Sequence, residues 1–249
     1  MSCNQGMEHI TLLNVRVDKV NMAGALETIE KFIESGAPHI VVTADASAIV
    51  IAQQDEELKR IINEADLVTP DSTGIMLAAK WNKDPLFEKV SGVDIAVNLA
   101  DIAAVKGYSM YLLGAAPGVA AEAAENLKER FPGLKIAGVH DGFFTDDEPI
   151  VREISESGAN ILLVAMGIPK QEKWIVKHLD QLGIGVAMGV GGTFDVLSGR
   201  VNRAPEWMRR HGLEWLHRLA SNPKKISKVA TLPRFLVMVL ADRFFGGKR

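Results

Sequence analysis

With 249 residues, 47% of them apolar and 24% charged, the chain has an ordinary globular composition, which excludes a disordered polypeptide and a polytopic membrane protein. The net charge of −3 conceals an asymmetry: residues 200–249 carry 12 basic and three acidic side chains, leaving 16 basic against 28 acidic in residues 1–199. An acidic body argues against a general nucleic-acid binder, whereas the basic tail calls for an anionic partner. The single cysteine, Cys3, rules out an intrachain disulfide and a Cys-built zinc site, and it fits a reducing compartment. The opening MSCNQGMEHITLL lacks the basic-then-apolar plan of a secretory signal.

In chain order, ITLLNVRV (10–17) reads as a first strand and MAGALETIEKFIES (22–35) as an amphipathic helix with Ala25, Ile29, Phe32 and Ile33 on one stripe. Strands follow at HIVVT (39–43), DLVT (66–69), SMYLLG (109–114), KIAGV (135–139), NILLVAM (160–166) and GVAMGV (185–190). The later runs are continuously apolar, as parallel strands covered on both faces should be. Helices are predicted over APGVAAEAAENLKERFPG (116–133), which opens near Pro117 and stops at Pro-Gly, and over PKQEKWIVKHLDQLG (169–183). This alternation predicts an α/β fold, a Rossmann-like, doubly wound, mostly parallel sheet over residues 1–198. Residues 199–249 read as a helical, basic appendage broken at Asn222-Pro223 and Pro233. Within it, RAPEWMRRHGLEWLHRL (203–219) gathers four arginines and two tryptophans, and the tryptophans are expected to pack the appendage on the body. The last apolar run, Phe235 to Ala241, falls far short of the roughly 20 residues that span a bilayer. Basic residues flank it, so two readings stay open: a helix lying in a membrane interface, or one docked on the body or on a second copy.

Ligands of such sheets bind at the carboxyl ends of the strands. LLGAAPG (112–118) leads from a strand into a helix, and Gly114 and its small neighbours would let a phosphate approach a helix N-terminus; a plain tight turn is the competing reading. The loop lacks G-x-G-x-x-G and no acid ends the next strand, which weakens an NAD-type oxidoreductase. TADAS (43–47) and TPDSTG (69–74) bring Thr43, Asp45 and Asp71 to two strand ends. Either aspartate could cap the helix that follows, but a carboxylate in such a crevice is also a natural general base for a hydroxyl nucleophile. No D-x-D pair or His cluster suggests a metal. In MGIPKQEKW (166–174), Gly167 and Pro169 shape a turn that lets the Gln171 amide reach over the strand ends, while Trp174 reads as core.

Taken together, TPDSTG, VSGVD, LLGAAPG, GIPKQEKW, GVGGTFDVLSGRVNRAPEW and GLEWLHRL resemble, in order and spacing, the WecG/TagA/CpsF glycosyltransferases, glycosyltransferase family 26, from about Ile10 to about Asp242. The resemblance implies an inverting, metal-independent transfer of N-acetylmannosamine, or its uronic acid, from a UDP-sugar to undecaprenyl-diphosphate-linked N-acetylglucosamine, with no cofactor. In the TagA-type branch the product is the β-1,4 linkage unit of wall teichoic acid. It implies Asp71 as the base, Thr43 and Gln171 as lining of the sugar pocket, and cations of the appendage closing over the UDP diphosphate: Arg218, Lys225 and Lys228. It also implies an enzyme of the bacterial cytoplasm held on the inner face of the membrane by its tail. Apart from the resemblance, a homo-oligomer in solution is expected if the apolar tail docks on a second copy. Four positions depart from the family pattern: Asp45 stands where asparagine is expected, Lys89 where arginine is, and Lys225 and Lys228 replace arginines. Lysine keeps the charge but loses the bidentate fork. The rival from another class is a catalytically silent protein that binds nucleotide-sugar or lipid, indifferent to Asp71.

Overall fold

The first apolar run folds differently from the single strand its sequence predicts. It divides into β1 (His9–Leu12) and β2 (Val15–Asp18), an antiparallel hairpin turned by Leu13 and Asn14 at φ 53° and 61°. A two-residue turn with both centres at positive φ suits the twist of the strands, but it is ordinarily announced by Asn, Asp or Gly at both positions. A leucine at the first one hides it. The helix α1 (Met22–Glu34) then buries the predicted stripe, with Asn21 capping it by accepting from Gly24 N at 2.8 Å.

The computed structural model describes residues 7–214, 216–217 and 231–245. After α1 come β3 (His39–Ala44), α2 (Ala46–Ala52), α3 (Glu56–Glu64), β4 (Leu67–Pro70), α4 (Thr73–Trp81) and α5 (Gly92–Lys106). The second half runs β5 (Ser109–Gly114), α6 (Val119–Arg130), β6 (Lys135–His140), α7 (Glu148–Ser157), β7 (Ile161–Ala165), α8 (Lys170–His178) and β8 (Val186–Gly189). Short helices α9 (Thr193–Leu197) and α10 (Glu206–Arg210) follow, and α11 (Thr231–Phe245) is the last described element. Strands β3 to β8 form one parallel sheet in the order β4-β3-β8-β7-β5-β6, the Rossmann-like layout expected. Alternate strand residues serve two cores. Val41, Leu67, Leu112, Leu163 and Met188 pack with Ile29, Leu99 and Leu127 on one face. On the other, Val42, Val68, Leu113 and Val164 pack with Ile49, Ile75, Ile154 and Trp174. Burial on both faces is why the strands read as unbroken apolar runs.

β4 is an edge strand, and the β1–β2 hairpin covers it. The fully buried Asp18 carboxylate accepts from Val68 N at 2.8 Å and holds the Arg16 guanidinium through two 2.7 Å contacts. Arg16 reaches on to Ala65 O at 2.9 Å. A side-chain acceptor thus occupies a backbone donor that an open edge would offer to another chain.

On the opposite flank Asp147 fastens the start of α7 to α8, contacting Trp174 Nε1 (3.1 Å), Lys177 Nζ (2.6 Å) and His178 Nε2 (3.0 Å). The Lys177 hydrogen bond, against the opposing effect of burial and with help from His178 and Trp174, holds its carboxyl at about 2. A carboxyl depressed on folding stabilises above its unfolded pKa and loses that contribution as pH falls through its folded one. Asp147→Ala should therefore cost about 1–2 kcal/mol at pH 7. The gap to the parent chain should close between about pH 4 and pH 2, followed by urea unfolding across that range. Equal stability at pH 7 would show that this carboxylate does not hold α7 on α8.

At the C-terminal side, α11 lies on α2 and α4 with Phe235 and Val239 buried, and Gly74 in α4 leaves the space that Leu232 and Phe235 fill. Among the described residues this run lies docked on the body. Trp207 departs from expectation: it is 60% exposed and does not pack the appendage down. It sits on α10, a helix of only five residues. Among the described residues no helix is long and apolar enough to cross a membrane.

Candidate active site

Because β3 to β8 are parallel, their carboxyl ends line one edge, and the loops singled out from sequence meet there. Asp71 N donates to Ala44 O at 2.8 Å, joining the exits of β4 and β3. The helix-capping role open to Asp71 is taken by its neighbour: Ser72 caps α4, accepting from Ile75 N. The Asp71 carboxylate instead accepts from Gly92 N at 3.1 Å, the first residue of α5, and so faces the positive end of that helix. Gly92 in turn lies against Thr43, where a Cβ would come within 3.2 Å of Thr43 Oγ1. Thr43 is 8% exposed and donates to Gly189 O at 2.9 Å, tying the exit of β3 to that of β8. Thr43, Asp71 and the N-terminus of α5 therefore form one cluster.

Asp45 caps α2, accepting from Ala48 N at 2.8 Å and from Ser47 Oγ at 2.6 and 2.8 Å. Gln171 is 1% exposed, and its amide clamps rather than reaches out. Its Oε1 accepts from Gly167 N and Gly191 N, both at 3.0 Å, joining the turn after β7 to the turn after β8. Gly114 serves through its backbone, at φ 124° with no room for a side chain beside Ala165. LLGAAPG forms the tight turn that leads from β5 into α6. The helix α6 that follows has no side-chain cap on its N-terminus. Arg218, Lys225 and Lys228 lie outside the described residues.

Lys89 pairs with Glu214 at 2.8 Å, so this cation is already matched. Glu214 Oε1 also approaches Arg203 Nε at 3.9 Å, and Arg203 grips Asp94 through two contacts of 2.6 and 2.7 Å. Ser91 Oγ donates to Asp94 at 2.6 Å. Burial pushes the Asp94 carboxyl up, yet Arg203 and Ser91 together hold it below the usual range. The Asp94 carboxylate chiefly, against the opposing effect of burial and with added attraction from Glu214 and Asp71, holds Arg203 above its ordinary value. The local sequence does not mark Asp94 and Arg203 for this pairing, although they lie in the motifs VSGVD and VNRAPEW. Ser91-x-x-Asp94 reads as a helix-start signal, and Ser91 does cap α5, which masks its second use. Among the described residues no three His, Cys, Asp or Glu side chains gather as a metal site.

A crevice with a carboxylate held on a helix N-terminus and a paired arginine beside it suits proton removal next to an anionic leaving group. A sequence model of the Glycosyl transferase WecG/TagA/CpsF family matches residues 10–249. The chain belongs to this family. It is 34% identical over 209 residues to the N-acetylglucosaminyldiphosphoundecaprenol N-acetyl-beta-D-mannosaminyltransferase of Bacillus spizizenii, covering 84% of this chain and 81% of that protein. It is similar to proteins of the same description from Bacillus subtilis, at 28% over 237 residues (95% and 93% covered), and from Staphylococcus aureus, at 30% over 232 residues (92% and 91%). Family membership makes it a glycosyltransferase.

Proposed function

We propose that this glycosyltransferase moves N-acetylmannosamine from a UDP-sugar to the N-acetylglucosamine of undecaprenyl diphosphate, forming the β-1,4 linkage unit of a wall teichoic acid. The acceptor and the sugar are those in the relatives' names. The observation that carries the mechanism is the Asp71 carboxylate, released from capping duty and held by Gly92 N at the sheet's carboxyl edge. There it takes the proton of the acceptor hydroxyl as that oxygen attacks the anomeric carbon. UDP leaves from the opposite face, so an α-linked donor yields a β product.

The departing diphosphate needs positive charge. Arg218, Lys225 and Lys228 of the tail supply it without a metal, and the same basic tail meets the anionic inner leaflet where the lipid acceptor resides. Thr43 and Gln171 shape the sugar pocket, the latter by fixing its turns, and Asp45 and Lys89 stand on its flanks. Association into homo-oligomers away from the membrane belongs to the same proposal.

The test is UDP release from UDP-N-acetylmannosamine with a short-chain lipid-diphosphate N-acetylglucosamine, with and without EDTA. Acceptor-dependent release that survives EDTA is expected. UDP binding without release under any acceptor would favour the silent binding protein, and absence of UDP binding would overturn the proposal.

A further inference from the structure

The Gln171 clamp depends on a neighbour that the mechanism above does not use. Glu172, in the first turn of α8, is 3% exposed, and its Oε1 accepts from Gln171 Nε2 at 2.7 Å. Its Oε2 is buried without a hydrogen-bond partner. The carboxyl lies against the exit of β8, where a Cβ on Gly189 would fall 2.6 Å from Gln171 Nε2 and 3.0 Å from Glu172 Oε1. An acid at a helix start ordinarily faces water and the helix dipole. This one is turned inward, under the turns that close the crevice.

An amide can sit either way round, and only one way offers Oε1 to two backbone donors. We propose that Glu172 is a positioning residue of the transferase: its carboxyl oxygen holds the Gln171 amide so that Oε1 takes both Gly167 N and Gly191 N, fixing the two turns beneath the donor sugar. The role rests on the transferase reading above. The clamp needs an acceptor on Glu172 but no charge. Burial, reinforced by the Asp45 carboxylate on α2, pushes the Glu172 carboxyl up to about 7. Among the described residues no cation offsets this: Lys170 on the same helix reaches Gly142 O and the Phe144 ring, and Lys173 pairs with Asp55 and Glu57 at α3. Above that pH an anion forms in a dry site facing a second carboxylate, and the turns it supports loosen.

The experiment compares the full chain with Glu172→Gln and Glu172→Leu, measuring kcat/KM from pH 5.5 to 8.5, UDP affinity by calorimetry, and amide exchange at Gly167 and Gly191. Glu172→Gln keeps an acceptor and should retain the parent rate at low pH while losing the alkaline limb near pH 7. Glu172→Leu should lose about 10- to 100-fold in kcat/KM, with faster exchange at both glycines and no fall in Tm. Parent-like rates and pH profile in both variants would overturn the proposal, as would equal losses in both that track a lower Tm. A parent chain that binds UDP but never turns over would sink the transferase reading alone, since UDP affinity and exchange still decide the part played by Glu172. A parent chain that binds no UDP would sink both.

Discussion

Asp71→Asn is expected to lower kcat by about 10²–10⁴-fold, the usual contribution of a positioned general base. The substitution suits the question because an asparagine oxygen can still accept from Gly92 N, so the junction of β4, β3 and α5 survives. What disappears is the ability to carry away the acceptor proton. UDP affinity and Tm should therefore stay close to the parent values while turnover collapses, which separates a lost base from a lost fold. A variant within tenfold of the parent kcat would remove Asp71 from the chemistry and direct the search to the other acids of the crevice.

The second large effect is on stability. Asp18→Ala should cost about 3–5 kcal/mol, because it leaves the largely buried Arg16 guanidinium without its anion and Val68 N without its acceptor. For a chain of this length that is a fall in Tm of roughly 6–20 °C. Asp18→Asn keeps an acceptor for Val68 N and should fall between the two. A change below about 2 °C for the alanine variant would mean that the hairpin covers the β4 edge without help from this carboxylate. Activity should follow stability here, since β4 carries Asp71 at its end.

The residues differ in how openly they announce these roles. Runs such as NILLVAM and SMYLLG are legible as parallel strands because burial on both faces leaves no polar alternation to misread. Thr43 and Asp71 are legible as neighbours once two strands ending in Thr and Asp are assigned to adjacent places in one sheet. The hairpin at Leu13 and Asn14 is not, since its turn lacks the residues that mark one. Arg203 and Asp94 lie more than a hundred positions apart, and no local periodicity records a pairing over that distance. Glu172 looks like any acid opening a helix; only the approach of Gly189 and the turn of α8 reveal that it faces inward.

The docking of α11 bears on how the tail can be studied. This helix rests on α2 and α4; α2 begins at the residue after Asp45, and α4 two residues after Asp71. It is a brace for the very elements that present both carboxylates, as well as the end of a positively charged segment. Trimming the chain to improve its handling would remove the brace and the charge together, and an inactive fragment would not distinguish them. Neutralising Arg218, Lys225 and Lys228 one at a time leaves Phe235 and Val239 in place, so it separates what the tail contributes as an electrostatic hand from what it contributes as scaffolding.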